Sequence, residues 1–223
     1  MILVKLQGRL GNQMFQYAFA YTTAKRIKSN YYVIQSEFYF AYNLHYFKVR
    51  LFEKLFVRIA TSWYFRFNKK TICKEYENNK VLFNNEIPIQ NNIVYDGYFQ
   101  TELFFKENKH ELKKLFTIKE KYNKLFTQKY NYLFQSSKPI IVMHYRGGDY
   151  KNWGGIDYTL PSKYYISALQ LIPNYNNYTI LIVTDDIKLA QNIFSSINKA
   201  QFISDTEIND FQLLLNALYE CSF

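Results

Sequence analysis

The chain has 223 residues, long enough for two modest domains, and it is 48% hydrophobic and 20% aromatic, with 22 Tyr and 20 Phe. That composition excludes a disordered chain and requires a large buried core. A net charge of +10 attracts phosphates of any kind (nucleic acid, an anionic bilayer, a nucleotide sugar) without choosing among them.

The opening run Ile2 to Leu6 has the pattern of a strand, with no basic lead-in or cleavage site of a signal peptide. The turn Gln7-Gly8-Arg9-Leu10-Gly11-Asn12 follows, then a helix from Gln13 to about Lys28. Two of the seven glycines lie in that turn; a backbone that approaches a ligand closely and a plain tight turn both account for them. Over residues 44–67, Leu51, Leu55 and Ile59 form one helical stripe, and Arg50, Lys54 and Arg58 another. A basic helix over 50–60 is a candidate peripheral contact with an anionic membrane, against the plainer reading of a core-facing stripe with a solvated face.

Ile93 to Gln100 reads as a strand ending in a turn, and Glu102 to Phe116 as a helix. Residues 119–138 are polar, and Pro139 marks the expected junction between a domain over 1–138 and a domain over 139–223. Strands are then expected over Ile140 to Tyr145, Tyr178 to Val183 and Ala200 to Ile203. Helices are expected from Pro161, from Ile187 and over Asp210 to Tyr219. This βαβαβα order predicts an α/β fold with a parallel sheet, whose ligands bind at the carboxyl ends of strands. Cys73 and Cys221 are far apart and lack metal-ligand spacing, so a reducing compartment fits and no zinc site is expected. No stretch approaches the roughly 18 apolar residues of a membrane span, which makes the cytoplasm the expected location.

Two loops at strand ends carry candidate chemistry. In His144-Tyr145-Arg146-Gly147-Gly148-Asp149, Arg146 offers a planar fork of donors suited to phosphate oxygens, and the glycines let backbone curl around a ligand. An Arg–Asp pair bracing a turn, with His144 in the core, accounts for the same residues equally well. In Thr184-Asp185-Asp186, capping of the next helix explains one carboxylate; the second is free to face a ligand. Adjacent aspartates point apart, so no metal site is expected. Nor does the chain carry a recognisable nucleic-acid-binding motif.

Gly8-Arg9-Leu10-Gly11-Asn12-Gln13-Met14-Phe15-Gln16-Tyr17-Ala18 resembles the amino-terminal signature of the α-1,2-fucosyltransferase family. Asp96-Gly97-Tyr98-Phe99-Gln100 resembles that family's central strand, and His144-x-Arg146-x-x-Asp149 its His-x-Arg-Arg-x-Asp motif. Leu160-Pro161-Ser162-Lys163-Tyr164-Tyr165 and Thr184-Asp185-Asp186 follow in the expected order, so the matches span nearly the whole chain.

The resemblance implies a GT-B-like fold, two Rossmann-like domains facing a cleft. It implies inverting, metal-independent transfer of L-fucose from GDP-fucose to the 2-hydroxyl of a terminal galactose in a surface-glycan precursor, with no cofactor beyond the donor. Arg146 would stabilise the departing diphosphate, while His144, Gly148 and one of Asp185 and Asp186 would hold the nucleotide. Gly11 and Asn12 would lie near the sugar, and Asp149 is a candidate for the base. Two departures stand out. Gly147 occupies the place of the family's second arginine. The chain also ends at Phe223, before the Asn-Ser-x-Phe-Ser-Trp-Trp segment the family carries, which implies an incomplete carboxyl-terminal domain. A truncated, inactive remnant with weak or no GDP binding is the alternative expectation.

Overall fold

A computed structural model of the chain describes residues 1–35, 44–49, 59, 71–77, 80–81, 87–135, 137–205, 208, 214–215 and 217. These form two compact units, Met1–Lys119 and Glu120–Phe223.

In the first unit, β1 (Ile2–Leu6), β2 (Tyr31–Gln35), β3 (Thr71–Lys74) and β6 (Ile93–Asp96) make a parallel sheet in the order β2-β1-β6-β3. A short antiparallel pair, β4 (Tyr76–Glu77) and β5 (Lys80–Val81), follows β3. Central β1 buries Ile2, Leu3, Val4 and Leu6, as a parallel strand covered on both faces must. Helix α1 (Leu10–Arg26) connects β1 to β2. Its Phe19 stacks on Phe99 at 4.0 Å between ring centroids, and Tyr95 and Phe104 meet it edge-on.

The helix starts three residues ahead of the expected Gln13. Gly8 turns the chain at φ +70°, Arg9 is extended, and the Arg9 carbonyl accepts the Gln13 amide at 3.0 Å. Gly11 and Asn12 are thereby in the first helical turn and not in the loop. The single helix expected over Glu102 to Phe116 is instead two 3₁₀ turns, Glu102–Phe104 and Lys106–Asn108, followed by α2 (Lys109–Leu115). Phe105, at φ −142° and ψ 7°, lies outside helical space and breaks the run.

The second unit contains α3 (Glu120–Tyr130), β7 (Ile140–Tyr145), α4 (Ser162–Gln170), β8 (Thr179–Thr184), α5 (Ile187–Ile193) and β9 (Gln201–Ile203). Its three strands are parallel in the order β7-β8-β9, as the βαβ pattern requires. Pro161 is the N-cap of α4, one residue outside the helix it was expected to begin. Strand alternation sorts the core into two layers. Leu181, Val183 and Ile203 pack with Phe126 and Leu133, and Met143, Tyr145, Ile180 and Ile182 with Leu169 and Phe194.

Residues 120–134 are part of this second core, so the units divide ahead of the expected junction at Pro139. Helix α3 is polar in composition yet buries Phe126 against the sheet. Asp205, just after β9, clamps its end: one carboxylate oxygen accepts the Tyr130 hydroxyl at 2.7 Å and Lys129 Nζ at 3.0 Å. Burial and this carboxylate push the Tyr130 phenol well above its ordinary pKa. Of the helix expected over Asp210 to Tyr219, the described Leu214, Leu215 and Ala217 are helical, with Ala217 buried.

The expected basic helix over 50–60, including Arg50, Lys54 and Arg58, lies outside the described residues; of the apolar stripe Ile59 alone is described, and it is helical and exposed. Among the described residues no helix is long and apolar enough to cross a membrane.

Phe126→Ala is expected to cost about 3–5 kcal/mol in urea unfolding of the second unit, the usual penalty for emptying an aromatic core position. A loss under about 1 kcal/mol would show that α3 is an attached linker and not core.

Candidate functional site

The carboxyl ends of β7 and β8 bring His144, Arg146, Gly147, Gly148, Asp185 and Asp186 together, as the two loop motifs require. Tyr145 pairs in register with Thr184, so the loops leave the sheet side by side. The tie between them is the Asp185 carboxylate. Its Oδ1 accepts the amides of Gly147 and Gly148 at 2.9 and 3.1 Å, and its Oδ2 approaches the Gly148 amide at 3.2 Å. The glycine loop thus curls around a carboxylate of the chain itself, and its two amides point at Asp185.

Asp186 is the N-cap of α5, accepting the Leu189 amide at 3.0 Å; its own amide donates to Thr184 Oγ1 at 3.1 Å. Both carboxylates of the pair therefore have positions set by backbone amides, one as a cap and one as a brace between strand ends. His144 is half-buried, and strand alternation places it on the sheet face that carries Ile140 and Val142. Asp149 begins a 3₁₀ turn, Asp149–Asn152.

The Arg146 guanidinium carbon lies 4.3 Å from the centre of the Tyr150 ring. This cation–π contact contributes about 0.5–2 kcal/mol and holds the guanidinium plane against an aromatic surface. Tyr150 follows the Arg–Gly–Gly–Asp segment directly, yet nothing in the spacing marks it as the support of Arg146. Burial first, and then the charges of Asp157, Asp185 and Asp186, raise the pKa of the Tyr145 phenol. That group therefore stays neutral beside the loop.

The glycine in place of a second arginine has a packing cause. Gly147 is buried, and a Cβ there would lie 2.7 Å from the Tyr145 ring and 2.8 Å from Leu189 Cδ2. Tyr145 cannot yield easily, because Tyr165 and Phe194 pack edge-on against it.

Asn12 and Gly11 belong to the first unit, at the carboxyl end of β1. The Asn12 amide lies over Gly8, where any Cβ would meet it at 2.2 Å. Asn12 Oδ1 accepts Gln100 Nε2 at 2.7 Å. The two remaining motifs of this unit are therefore hydrogen-bonded to each other.

Beneath them lies a set of side chains whose roles are not legible in the sequence. Buried Gln13 donates to the Gly8 carbonyl, and buried Gln16 accepts the Gln7 amide and donates to the Gly97 carbonyl, each at 3.0 Å. Buried Glu75 accepts the amides of Tyr98 and Phe99, and Lys5 pairs with Asp96 at 2.6 Å. The available signal was the presence of Gln13 and Gln16 on the apolar face of α1. Glu75 had none, because its partners are remote in sequence. Among the described residues, no three His, Cys, Asp or Glu side chains are grouped so as to hold a metal ion.

No protein-family profile matches the chain. It is 25% identical over 245 residues to an α-1,2-colitosyltransferase of Escherichia coli, covering 98% of this chain and 82% of that protein. It is 24% identical over 239 residues to the O-antigen biosynthesis glycosyltransferase WbnK of Escherichia coli, covering 91% of this chain and 78% of that protein. The fold is similar to that of NodZ α-1,6-fucosyltransferase in a crystal soaked with GDP-fucose, with a TM-score of 0.50 and 10% identity over 98% of this chain and 83% of that one. The selenomethionine form of NodZ from Bradyrhizobium gives a TM-score of 0.50 and 11% identity over 99% and 81%. The two sequence relatives and the structural neighbours are all glycosyltransferases, and the fold is GT-B-like.

Asp185→Ala is expected to speed hydrogen exchange at the Gly147 and Gly148 amides and to lower stability by about 1–3 kcal/mol, since both donors lose their acceptor. Exchange rates equal to wild type would show that Asp185 does not brace the loop. Gly147→Ala is expected to cost about 1–3 kcal/mol in chemical unfolding through overpacking against Tyr145; a neutral result would remove the packing explanation for this glycine.

Proposed function

We propose that the chain transfers L-fucose from GDP-fucose to the 2-hydroxyl of a terminal galactose in a surface-glycan precursor, with inversion and without a metal or other cofactor. The observation that carries this reading is Arg146, held against Tyr150 at the mouth of a parallel sheet beside the braced glycine loop. Three likenesses support its finer parts: an α-1,2 linkage in one relative, O-antigen biosynthesis in the other, and a structural neighbour studied with GDP-fucose.

The chemistry follows from the charge that must be managed. As the glycosidic bond to the β-phosphate breaks, negative charge grows on the departing GDP. A guanidinium already oriented by an aromatic face can stabilise it without reorganising at the moment of reaction. The glycine amides are engaged with Asp185, so in this proposal the loop contributes charge through Arg146 and shape through Gly148. His144 and Asp185 contact the guanosine side, with Asp186 as the helix cap. Asn12 and Gly11 serve the sugar side, and Asp149 is the proposed base, taking the proton of the acceptor hydroxyl as it attacks the anomeric carbon. With the expected junction at 138/139 moved by the packing of residues 120–134, the unit Met1–Lys119 is proposed to contribute to the acceptor side and the unit Glu120–Phe223 to hold the nucleotide sugar. The proposed location is the cytoplasm, peripheral to the inner face of the membrane through 50–60.

A second reading changes only the donor. One relative is a colitosyltransferase, which favours testing a nucleotide-activated colitose beside GDP-fucose.

Arg146→Ala is expected to lower turnover of GDP-fucose on lactose by about 10²–10³, the effect of removing one preorganised donor, with the circular dichroism unchanged. Arg146→Lys restores charge but not the planar fork and is expected to recover only part of the rate. Unaltered turnover in Arg146→Ala would remove the loop from the reaction. Turnover with the colitose donor alone would decide for the second reading.

A further inference from the structure

The segment after the candidate site leaves large side chains in solvent. Tyr150, Trp153, Ile156, Tyr158, Leu160 and Tyr164 are all exposed, with Trp153 at 50% and Ile156 at 56%. A monomeric surface rarely gathers so many without a use for them.

This segment has defined backbone geometry. Trp153 and Ile156 exchange both backbone hydrogen bonds, at 3.0 and 3.2 Å, across a two-residue turn. The turn residues Gly154 and Gly155 have φ of +61° and +84°, the geometry in which glycine closes a tight hairpin. The Tyr158 amide donates to the Tyr150 carbonyl at 2.8 Å, and the Asp157 carboxylate accepts both the amide and the hydroxyl of Thr159. The aromatic surface is therefore ordered on folding and does not wait for a ligand to arrange it.

It is also continuous with the candidate site. Tyr150 both closes the hairpin through its carbonyl and supports the Arg146 guanidinium with its ring. If Arg146 meets the diphosphate, the sugar bonded to that phosphate lies next to it, and the acceptor must approach from an adjoining surface.

We propose that the hairpin over 150–160 is an acceptor subsite that binds the pyranose rings of a glycan. This inference rests on the donor-site reading given above. A pyranose has apolar C–H faces and a hydroxyl edge. Trp153 and Tyr158 supply flat aromatic faces for the first, and the Tyr158 hydroxyl and the exposed Asp157 carboxylate supply polar groups for the second. A carboxylate between Ile156 and Tyr158 suits sugar hydroxyls and opposes insertion into an anionic bilayer, the other surface that exposed aromatic residues fit.

The test uses the full chain and immobilised lactose, N-acetyllactosamine and galactosyl-N-acetylgalactosamine, with capture read by interferometry in the presence and absence of GDP. Trp153→Ala is expected to weaken glycan capture by about tenfold or more, and Trp153→Phe to retain most of it, because an aromatic face remains. GDP affinity by calorimetry is expected to match wild type in both variants. Capture unchanged in Trp153→Ala overturns the proposal, and so does a wild-type chain that captures none of the three glycans. Sedimentation with phosphatidylglycerol vesicles that Trp153→Ala abolishes would replace the glycan by a membrane. Failure of the wild-type chain to bind GDP, with glycan capture intact, would count against the donor site and leave the hairpin standing.

Discussion

A parallel sheet ends at its carboxyl edge with backbone groups that have no neighbouring strand to satisfy them, and this protein meets that constraint with carboxylates from remote parts of the chain. Asp185 accepts the amides of Gly147 and Gly148, and Glu75 accepts those of Tyr98 and Phe99. Asp205 joins the Ile208 amide to Lys129 and Tyr130. Each clamp links loops or elements that lie on different strands or helices, so the loops that carry candidate function are fixed by tertiary pairing and not by their own composition. An unpaired donor at such an edge costs about 1–3 kcal/mol, enough to open a loop that has little core beneath it.

The Glu75 clamp shows how far the constraint reaches. Phe99 sits at φ 52°, a region a bulky side chain avoids, and its amide is held by both oxygens of Glu75. That conformation turns its ring back to stack on Phe19, while Gln100 continues outward to Asn12. Gly97 is required because a Cβ there would lie 2.3 Å from Glu75 Cβ. Core packing and placement of the exposed Gln100–Asn12 pair are thus two results of one buried carboxylate. In the second unit Asp185 has the corresponding part: it settles the path of Gly147 and Gly148, and that path delivers Arg146 to Tyr150.

Much of the architecture was legible in the residues. The apolar run Ile140 to Tyr145 forms β7 over its expected span, and the other two strands of that sheet fall within a residue of expectation. Apolar packing on both faces makes such strands nearly uninterrupted apolar runs, which local composition reveals. Three features were not legible. β2 and β3 were not anticipated, because short edge strands take their pairing from β1 and β6 and carry little pattern of their own. Helix α3 reads as polar linker because a single buried aromatic, Phe126, accounts for much of its attachment. The break at Phe105 arises where Phe104 turns into the core against Phe19, a partner remote in sequence.

The loop from His144 to Asp149 divides in the same way. By itself the sequence determined its place at the end of an apolar strand, the guanidinium of Arg146 and the flexibility of two glycines, since these depend on residue type and short-range pattern. Tertiary structure decided what those properties are used for. Asp185, distant in sequence, occupies the glycine amides; Tyr145, locked by Tyr165 and Phe194, leaves no room for a side chain at 147; and Tyr150 supports the arginine. Hydrogen-bond acceptors and packing partners are chosen by proximity in the fold, and proximity of that kind leaves no periodic trace along the chain.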